Sequence, residues 1–339
     1  MTTRAPFFAP RFAATAALTV LALAAAPAWS RATPAADAAA QPAPAATAAP
    51  LDQQQLLADV RTLASVDFGG RKTATEGSLK AQAYLTARFT ALGLRAFGGG
   101  YSQPFSFMNT RTKPPATVAG VNLIGYIPGT AQPQRFIVVS AHYDHLGMKD
   151  GQLYPGADDN ASGVATMLAM AAWFKAHPPL HSVVFAAFDA EEMGLRGAKA
   201  FVGALPFPQS QLIMNLNFDM VGHNDNEIFV TGTHYHPAFK PLIAQVAARS
   251  SIKVSLGHDD PTTPNAKLKG ADEDWTDSSD HGPFHAAGVP YLYAGVEDHP
   301  DYHQPTDTFE HLNTAFFTKA AAMLIDLGAT LDQQADTKP

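Results

Sequence analysis

Short apolar runs alternate along the chain with longer stretches that have helical periodicity. Three runs rich in Val, Ile, Leu and Phe predict buried strands: RFIVVSAHYD (135–144), SVVFAAFDAEE (182–192) and LIMNLNFDM (212–220). Four stretches repeat apolar residues at helical spacing and predict helices: 75–94, 162–177, 236–251 and 314–331. This alternation favours an α/β fold, with a mostly parallel central sheet and helices on both faces.

Each predicted strand ends in acidic residues or histidine. His142 and Asp144 close the first run, Asp189 and two glutamates close the second, and Asp219 closes the third. Ligands of open α/β sheets bind beyond the carboxyl ends of the strands, where these side chains would meet. Carboxylates gathered there raise one another's pKa unless a cation neutralises them. The pattern therefore predicts a multivalent metal site at this edge of the sheet.

Each cluster taken singly also has a structural interpretation. Asp189 and the glutamates after it can cap a helix and favour its first turn. PGADDNASG (155–163) can be an Asx-turn with a helix cap, and His303 can be a surface residue. Glu191 and Glu192 are adjacent and point in different directions, which suits one carboxylate as a metal ligand and the other as a base. Four separated clusters that all offer ligands favour the metal site.

The first 30 residues have the layout of a secretory signal peptide. Arg4 and Arg11 precede the apolar stretch FAATAALTVLALAAA, and the small residues of APAWS follow. Cleavage is expected after Ala28 or Ser30, which would make the protein exported, either periplasmic or secreted. An uncleaved membrane anchor is the alternative, although the apolar stretch is short for a bilayer span. No stable membrane insertion is expected after cleavage.

An Ala/Pro-rich segment separates this signal from the predicted domain. Residues 31–50 are nearly all Ala, Pro and Thr, which cannot bury enough surface to become ordered and are typical of a linker. One catalytic domain is predicted over 51–335. Within it, residues 97–134 are expected to add flanking strands and a rim loop, with NLIGYIPG (122–129) as one of the strands.

Composition and charge narrow the class of protein. The chain has 339 residues, of which 46% are hydrophobic, enough for a large domain with a substantial core. Its net charge is −7 and it has no run of basic residues, so it lacks the electrostatic footprint of a nucleic-acid-binding protein. It contains no cysteine, so stability has to come from the core or from metal rather than from disulfides.

Six motifs together resemble the di-zinc aminopeptidases of the bacterial leucyl aminopeptidase and glutamate carboxypeptidase type, in peptidase clan MH. They stand in the family's order, and the resemblance covers about residues 55–330. The motifs are AHYDHLG (141–147), PGADDNASG (155–163), DAEEMGLRGA (189–198), NFDMVG (217–222), SDHGPF (279–284) and DYHQPTDT (301–308). The resemblance implies the zinc exopeptidase fold and hydrolysis of the N-terminal peptide bond of peptides that have a free N-terminus.

The resemblance also implies a set of metal ligands. Two zinc ions per chain would be held by His142, Asp159, Glu192, Asp219 and His303. Asp159 would bridge both ions, Glu192 and His303 would complete one site, and His142 and Asp219 would complete the other. Co²⁺ or Mn²⁺ are acceptable substitutes for such a ligand set. The family often has a cis peptide after the bridging aspartate, here Asp159–Asn160.

Three catalytic roles are implied in the same way. Glu191 would be the general base for a metal-bound water, Asp144 would orient His142, and Tyr302 would stabilise the oxyanion. Asp189 is expected to make structural hydrogen bonds around the site. The protein is expected to act as a monomer.

Other functions remain open at the level of the sequence. Relatives include single-zinc glutaminyl cyclases, which are acyltransferases, and a dipeptidase on the same fold is a further alternative. A non-catalytic binding ectodomain belongs to another class, and members that became receptors generally lost ligands. All five ligand positions are filled here, which favours two metals and hydrolysis.

The remaining polar residues are expected either to line the substrate pocket or to lie in surface loops. The acidic stretch 257–280 favours a solvated surface loop over a calcium site. The motif after it makes three residues candidates for lining the substrate pocket: Asp280, His281 and Phe284. Four further histidines are expected to be loop residues rather than ligands: His145, His223, His234 and His236.

Overall fold

The structure, a computed structural model, describes residues 51–260 and 273–334. The predicted signal peptide and linker lie outside this part of the chain. Within it, eight strands form the main sheet: β1 (Ser102–Asn109), β2 (Ala116–Ile127), β3 (Gln132–His142), β6 (His181–Phe188), β7 (Leu212–Phe218), β8 (Glu227–Thr231), β9 (Lys253–Leu256) and β10 (Tyr291–Gly295). A separate hairpin consists of β4 (Gly147–Lys149) and β5 (Gln152–Tyr154).

The three strands predicted from apolar runs are adjacent in the sheet, whose order is β1-β2-β6-β3-β7-β10-β8-β9. The centre of the sheet is parallel: β3 pairs parallel with both β6 and β7, and β10 pairs parallel with β7. β2, which includes residues 122–127 of the predicted NLIGYIPG strand, pairs antiparallel with β6 and with β1. β8 pairs antiparallel with β10. Mixed pairing at the flanks leaves a parallel centre, as the sequence predicts.

Alternate residues of the central strands enter two separate cores. In β3, Ile137 and Val139 pack on one face of the sheet, whereas Phe136 and Val138 pack on the other. Successive side chains of a strand point to opposite faces, so a strand that is apolar throughout needs cover on both sides. That cover is the reason the central runs are mostly apolar; polar residues inside them, such as Ser140 and Asn217, are buried and hydrogen-bonded to each other.

Seven α-helices supply the cover within the described residues. They are α1 (Gln53–Leu63), α2 (Glu76–Leu92), α3 (Gly163–Ala176), α4 (Arg196–Gly203), α5 (Lys240–Ala247), α6 (Gly282–Ala286) and α7 (Thr314–Gln334). Buried residues of α1, α2, α3, α5 and α7 join the larger core, and those of α4 and α6 join the smaller one. Helices therefore lie on both faces of the sheet, and the predicted fold class is confirmed.

The predicted helices are all present, and one is shorter than expected. Periodicity predicts a helix over 236–251, but α5 covers only Lys240–Ala247 and follows a 3₁₀ turn at Pro237–Phe239. Proline has no backbone N–H and fits only the first turn of an α-helix, so Pro241 fixes where α5 can begin. Apolar periodicity alone does not locate that boundary.

Helix α7 is the one helix of the described residues that is long and apolar enough to cross a membrane, judged by length and composition alone. Two thirds of its most apolar window is buried inside the protein. Phe317, Leu324 and Leu331 of α7 belong to the larger core together with α3. The helix is therefore accounted for as a core helix.

Candidate metal centre and active site

The predicted site residues meet around one cavity at the carboxyl edge of the sheet. His142 is the last residue of β3, Asp219 directly follows β7, and Glu191 and Glu192 come shortly after β6. Asp159 lies in the irregular turn before α3, and His303 lies in the loop between β10 and α7. A cavity of about 240 Å³ is lined by all five predicted ligands and also by Glu191 and Tyr302.

His142 is buried and has both ring nitrogens engaged. Its Nδ1 lies 3.1 Å from the carbonyl oxygen of Asp144, which assigns the proton to Nδ1 and a lone pair to Nε2. Nε2 lies 3.1 Å from Oδ1 of Asp219 and 3.4 Å from Oδ1 of Asp159. A lone pair that faces two carboxylate oxygens is repelled unless a proton or a cation lies between them. We call His142 and Asp219 the strand-borne half of the site.

His303 and Glu192 form the second half, which we call the loop-borne half. Nε2 of His303 lies 3.1 Å from Oδ2 of Asp159 and 3.3 Å from Oε2 of Glu192. His142 and His303 thus face different oxygens of Asp159, whose carboxylate lies between the two halves. The Asp159–Asn160 peptide is cis, as the resemblance implies.

The turn that carries Asp159 depends on a glycine at its start. Gly156 has a φ of 64°, in the left-handed region that side chains disfavour. A Cβ atom at this position would clash with the carbonyl oxygen of Asp159 and with the ring of His145. The PG pair that opens the motif therefore allows the chain to bring Asp159 close against the strand ends.

His145, predicted to be a loop histidine rather than a ligand, lies beside the site. It is fully buried, and its Nδ1 lies 2.8 Å from Oε1 of Glu192 and 3.6 Å from Oδ2 of Asp159. One ligand atom each from His145, Asp159 and Glu192 lie within 4.8 Å of one another. The alternation of a strand could not have shown this, because the chain leaves β3 at His142 and turns before it reaches His145.

The charges of the two halves perturb each other's ionisation. Burial alone would lower the pKa of His142, but the carboxylates of Asp219 and Glu191 raise that pKa well above its ordinary value. Burial opposes ionisation of Glu192, yet contacts with His145 and His303 hold the pKa of Glu192 well below its usual range. Burial also opposes protonation of His303, whose pKa is nevertheless raised to about 10 by Asp159 and Glu192. Carboxylates and imidazoles this close need shared protons or bound cations.

The side chains present fit two divalent cations. Imidazole nitrogens and carboxylate oxygens are the ligands that zinc prefers when cysteine is absent. Ligand atoms of Asp159, His142 and Asp219 lie close enough together to bind one ion. Those of Asp159, His145 and Glu192 lie close enough to bind another. His303 faces the same oxygens as the second group. The donor set therefore agrees with the ligands implied by the resemblance and adds His145 beside them.

Asp144 and Asp189 hold the backbone around these ligands. The nearest carboxylate oxygen of Asp144 is 3.7 Å from Nδ1 of His142, farther than its carbonyl oxygen, so the main chain orients the ring. The Asp144 carboxylate instead accepts a hydrogen bond from the backbone N–H of Glu191 at 3.0 Å. Asp189 accepts hydrogen bonds from Thr73 and from the backbone N–H of Val121, which agrees with the expected structural role.

Arg71 is a buried cation that contacts the ligand loops, and no sequence motif indicates it. Its guanidinium donates to the carbonyl oxygens of Tyr143, Pro155 and Gly156, and also to that of Leu63, at 2.6–2.7 Å. Burial lowers the pKa of Arg71 to about 10, while nearby carboxylates oppose that shift. Arg71 thus ties the segment after His142 to the segment before Asp159.

The predicted lining of the substrate pocket needs a correction. Asp280, His281 and Phe284 are all fully buried and do not line the cavity. The side chains that do so come from just before them, at Trp275 and Ser278. Asp280 lies behind the site instead, where burial raises its pKa to about 7, with Asp219 contributing to the increase and His142 opposing it. The motif marks the supporting layer rather than the wall, since Phe284 packs from α6 into the smaller core and the buried Asp280 and His281 come directly before that helix.

The acidic stretch 257–280 is less solvated than expected wherever the structure describes it. Asp259 is buried and accepts hydrogen bonds from the backbone N–H groups of Gly232 and His234. The ring of Trp275 is buried and stacks on His258, with ring centroids 3.8 Å apart. Residues 261–272 lie outside the described residues. Both ends of the stretch are therefore packed against the domain, because aromatic and capping side chains hold them.

A larger cavity lies away from this chemistry. It measures about 600 Å³ and is bounded by α1, α2, α3 and α7, with apolar residues such as Leu56 and Trp173 in its wall. Asp59 and Arg88 also line it and form an ion pair with each other. The histidines and carboxylates of the candidate metal centre line only the smaller cavity, which is therefore the candidate active site.

The fold and the site define a class, namely α/β proteins that gather two groups of histidine and carboxylate ligands at the carboxyl edge of the central sheet. Comparison with known proteins gives the family. Residues 122–328, more than half of the chain, match peptidase family M28, and the chain therefore belongs to that family.

Relatives of known name are similar over part of their length. Aminopeptidase YwaD of Bacillus subtilis (strain 168) is 30% identical over 203 residues, which cover 57% of this chain and 40% of YwaD. A probable zinc metalloprotease of Pyrenophora tritici-repentis (strain Pt-1C-BFP) is 28% identical over 279 residues, covering 70% of this chain and 63% of the relative. The chain thus spans less than two thirds of either protein.

Solved structures share the fold at lower identity. BSAP, a zinc aminopeptidase from Bacillus subtilis, has a TM-score of 0.65 and 18% identity over 82% of this chain and 95% of its own. A Bacteroides thetaiotaomicron glutaminyl cyclase bound to N-acetylhistamine also has a TM-score of 0.65, with 16% identity over 83% of this chain and 98% of its own. Since a hydrolase and a cyclase both share it, the fold alone does not choose the reaction.

Proposed function

We propose that the protein is a di-metal aminopeptidase that hydrolyses the N-terminal peptide bond of peptides. The observation that carries the proposal is the placement of Glu191 in the cavity wall beside two histidine–carboxylate groups that share Asp159. Membership of peptidase family M28 supports hydrolysis of a peptide bond as the reaction class.

The metal ligands in this proposal are those of the two halves. His142 and Asp219 would hold one ion, Glu192 and His303 the other, and Asp159 both. When bound, two zinc ions supply Lewis acidity and bring the pKa of a water molecule down to about 7. The carboxylates would be neutralised there, which removes the repulsion that they otherwise exert on Glu191 and on one another.

Glu191 is the group proposed to move the proton. Enclosure by the protein raises its pKa well above the ordinary value, and Asp219 and Asp280 add to that increase, whereas His142 opposes it. Neutralising Asp219 lowers the pKa of Glu191 again, toward the range of an effective general base. Glu191 would take a proton from the attacking water and then deliver it to the amine that leaves. The hydrogen bond from its backbone N–H to Asp144 fixes its position.

Tyr302 is proposed to stabilise the charge that develops on the carbonyl oxygen. It lines the cavity and stacks on the ring of His303, with centroids 4.0 Å apart. Its hydroxyl has no hydrogen-bond partner among the described residues, so it is available to donate to substrate. Burial and the carboxylates of Asp159 and Asp219 raise the pKa of Tyr302, which keeps the hydroxyl protonated.

The acidic lining suits a substrate with a free α-amine. Beyond the predicted ligands, Glu273 and Asp298 also line the cavity. The positive charge of an N-terminal ammonium group would be attracted to these carboxylates, whereas a blocked terminus would gain nothing from them. This supports an exopeptidase, and the small cavity volume of about 240 Å³ suits one terminal residue.

The test is a metal assay paired with turnover on untagged mature protein. We expect at least two zinc ions per chain and release of p-nitroaniline from leucine p-nitroanilide, lost with a chelator and restored by zinc. Two zinc ions with dipeptidase activity only, or formation of pyroglutamate from an N-terminal glutamine, would replace the aminopeptidase proposal with one of its alternatives. A protein that binds no metal under zinc-replete conditions would overturn it.

We also propose that the protein is exported. The support is the signal-like order of residues 1–30, which precede the described domain. Expression of the full chain in a bacterial host, followed by N-terminal sequencing of the exported fraction, should find a mature start just after Ala28 or Ser30. An intact N-terminus in the cytoplasm would contradict the proposal.

A further inference from the structure

A second group of histidines and carboxylates lies outside the site described above. His223 follows β7, His299 and Asp301 lie in the loop after β10, and His311 ends the short 3₁₀ turn Phe309–His311. We call these four residues the outer histidine cluster. None of them is among the ligands of the proposed di-metal site.

The ligand atoms of the outer histidine cluster are close enough to share an ion. One atom each from His223, His299 and Asp301 lie within 4.8 Å of one another. Nδ1 of His223 is 3.9 Å from Oδ2 of Asp301, and Nδ1 of His311 is 3.4 Å from Oδ1 of the same carboxylate. Asp301 thus has a histidine beside each of its two oxygens.

His299 is held in the orientation of a metal ligand by a buried carboxylate. Its Nε2 lies 3.1 Å from Oδ2 of Asp158. Asp158 is fully buried, and its other carboxylate oxygen accepts a hydrogen bond from the backbone N–H of Gly222 at 2.6 Å. Asp158 therefore fixes a proton on Nε2. Metal-ligating histidines commonly donate the remote ring nitrogen to a carboxylate in this way.

The other nitrogen of His299 has no partner. Its Nδ1 is buried and makes no hydrogen bond among the described residues, and the side chain is only 7% exposed. Nδ1 of His223 is likewise buried and without a hydrogen bond among them. A buried polar atom without a partner is destabilising, and a cation bound at these nitrogens would remove that cost.

His223 is the ring that can move. It stacks on His299 with centroids 3.8 Å apart and planes 4° apart, and its side chain is 24% exposed. Two parallel rings cannot both direct an in-plane lone pair at one ion between them. Because Asp158 anchors His299, binding has to turn His223. Burial and the neighbouring His299 lower the pKa of His223, so the ring is neutral and able to ligate at neutral pH.

We propose that His223, His299 and Asp301 bind a third divalent transition-metal ion, zinc above all, with His311 available from the solvent side. Two imidazoles and one carboxylate suit zinc, cobalt or nickel and do not suit the oxygen-seeking calcium and magnesium ions. The partly exposed edges of His223 and His311 provide the route of entry.

The position of the outer histidine cluster, next to the loop that carries Tyr302 and His303, indicates a structural role for a bound ion. Asp301 precedes Tyr302 and His303, so the outer histidine cluster shares a segment with the loop-borne half, and Asp158, which holds His299, precedes the bridging Asp159. An ion bound there would brace the loop that presents Tyr302 and His303 to the cavity. This is a supporting role, since the outer cluster residues do not line that cavity.

The test is zinc stoichiometry in matched variants of the untagged mature protein. Wild type, His223→Ala and a control, His234→Ala, are equilibrated by dialysis against micromolar buffered zinc, and bound metal is measured by elemental analysis. His234 is also a partly exposed histidine, 41% exposed, with a carboxylate oxygen of Asp260 4.0 Å from its Nδ1. We expect His223→Ala to bind one zinc ion fewer per chain than wild type and the control.

Two results would overturn the proposal. Equal zinc in all three proteins would show that the cluster binds none, and a loss of two or more ions would show that His223 supports the di-metal site instead. Asp301→Asn, which keeps the side-chain volume, is the second variant and should lose the same single ion. The comparison is by difference, so it remains decisive even if the di-metal proposal fails and wild type binds one ion only.

Discussion

His142 and His303 face opposite oxygens of Asp159, but the chain holds them in different ways. His142 ends a central strand, is buried, and has its Nδ1 fixed by the carbonyl oxygen of Asp144. Its partner Asp219 accepts a hydrogen bond from Ser279 at 2.7 Å. His303 lies in a loop with a φ of 55°, and its side chain is 37% exposed.

This difference in how rigidly the ligands are held indicates different roles for the two halves. A ligand pair fixed by strands and by buried hydrogen bonds is pre-organised. An ion that binds there moves the side chains little, so little binding free energy is lost to rearrangement. A pair built on loops can adapt to a substrate that comes and goes, at the cost of weaker binding. The strand-borne half should therefore anchor metal, and the loop-borne half should respond to substrate.

The largest effect should come from Glu191, which belongs to neither half as a ligand. Glu191→Gln removes the proton acceptor but keeps size and polarity, so kcat should fall by about 10²- to 10⁴-fold. Zinc content should stay at the wild-type value, because no ligand is lost. Turnover of leucine p-nitroanilide and elemental analysis of the same samples provide the measurement.

The neighbouring glutamate supplies the control. Glu192→Gln should lose activity together with one zinc ion, since Glu192 faces His303 in the loop-borne half. If Glu191→Gln were the variant that lost metal and Glu192→Gln kept it, the base and the ligand would have been assigned the wrong way round.

Arg71 ties the segment after His142 to the turn that carries Asp159, so its loss should disturb both segments together. Arg71→Met leaves four carbonyl oxygens without their buried donor and should lower the free energy of unfolding by about 3–5 kcal/mol. Denaturant unfolding of metal-free protein measures this. Arg95→Met is the control, because Arg95 is exposed and its loss should change stability by about 0.5 kcal/mol or less. Equal effects of the two variants would contradict the role of Arg71.

Stepwise zinc release tests the comparison directly. The two ions of the di-metal site should differ in affinity by about 10- to 100-fold, with the loop-borne ion released to a chromogenic chelator before the strand-borne one. His303→Ala should abolish the weak phase and keep the tight one, whereas His142→Ala should abolish the tight phase. Two phases of equal affinity, or the reverse assignment, would show that strand anchoring does not set metal affinity here.

The parts of this site that could be predicted from the sequence are those that strands dictate. Apolar runs identify β3, β6 and β7, and the rule that ligands gather at carboxyl ends is enough to bring His142 and Asp219 to one edge of the sheet. The strand-end argument also includes Glu191 and Glu192, but the resemblance of motifs decides which of them is the ligand and is what indicates Asp159 and His303; the structure places all four around the same cavity.

The parts that escaped prediction depend on where loops turn. His145 points into the site because the chain leaves its strand at His142, and Arg71 reaches the ligand loops from a distant 3₁₀ turn. Asp280 was expected in the pocket wall but is buried behind it. Backbone turns and long-range hydrogen bonds of this kind have no periodicity, so hydrophobic patterning carries no signal for them.

The smallest expected effect concerns the layer behind the strand-borne half. His281 lies two residues after Ser279, and its Nε2 lies 2.7 Å from the carbonyl oxygen of Trp275. Burial lowers the pKa of His281 to about 4, although the bond to Trp275 opposes that shift. The unfolded chain, with an ordinary histidine pKa of 6.5, binds more protons than the folded one between those two values. The neutral, buried ring of His281 therefore makes its full contribution to the free energy of unfolding above about pH 6.5, and this contribution is lost as the pH falls toward 4.

His281→Gln should remove this pH dependence, since glutamine can donate to the same carbonyl oxygen and does not titrate. Between about pH 7 and pH 5.5, metal-free wild type should lose about 1 kcal/mol more stability than the variant does. Denaturant unfolding at the two pH values gives the difference, in which groups common to both proteins cancel. Parallel pH profiles would show that His281 is protonated in the folded protein as readily as in the unfolded one. In that case the layer behind Asp219 would be open to water, and the strand-borne half would not be the more rigid of the two.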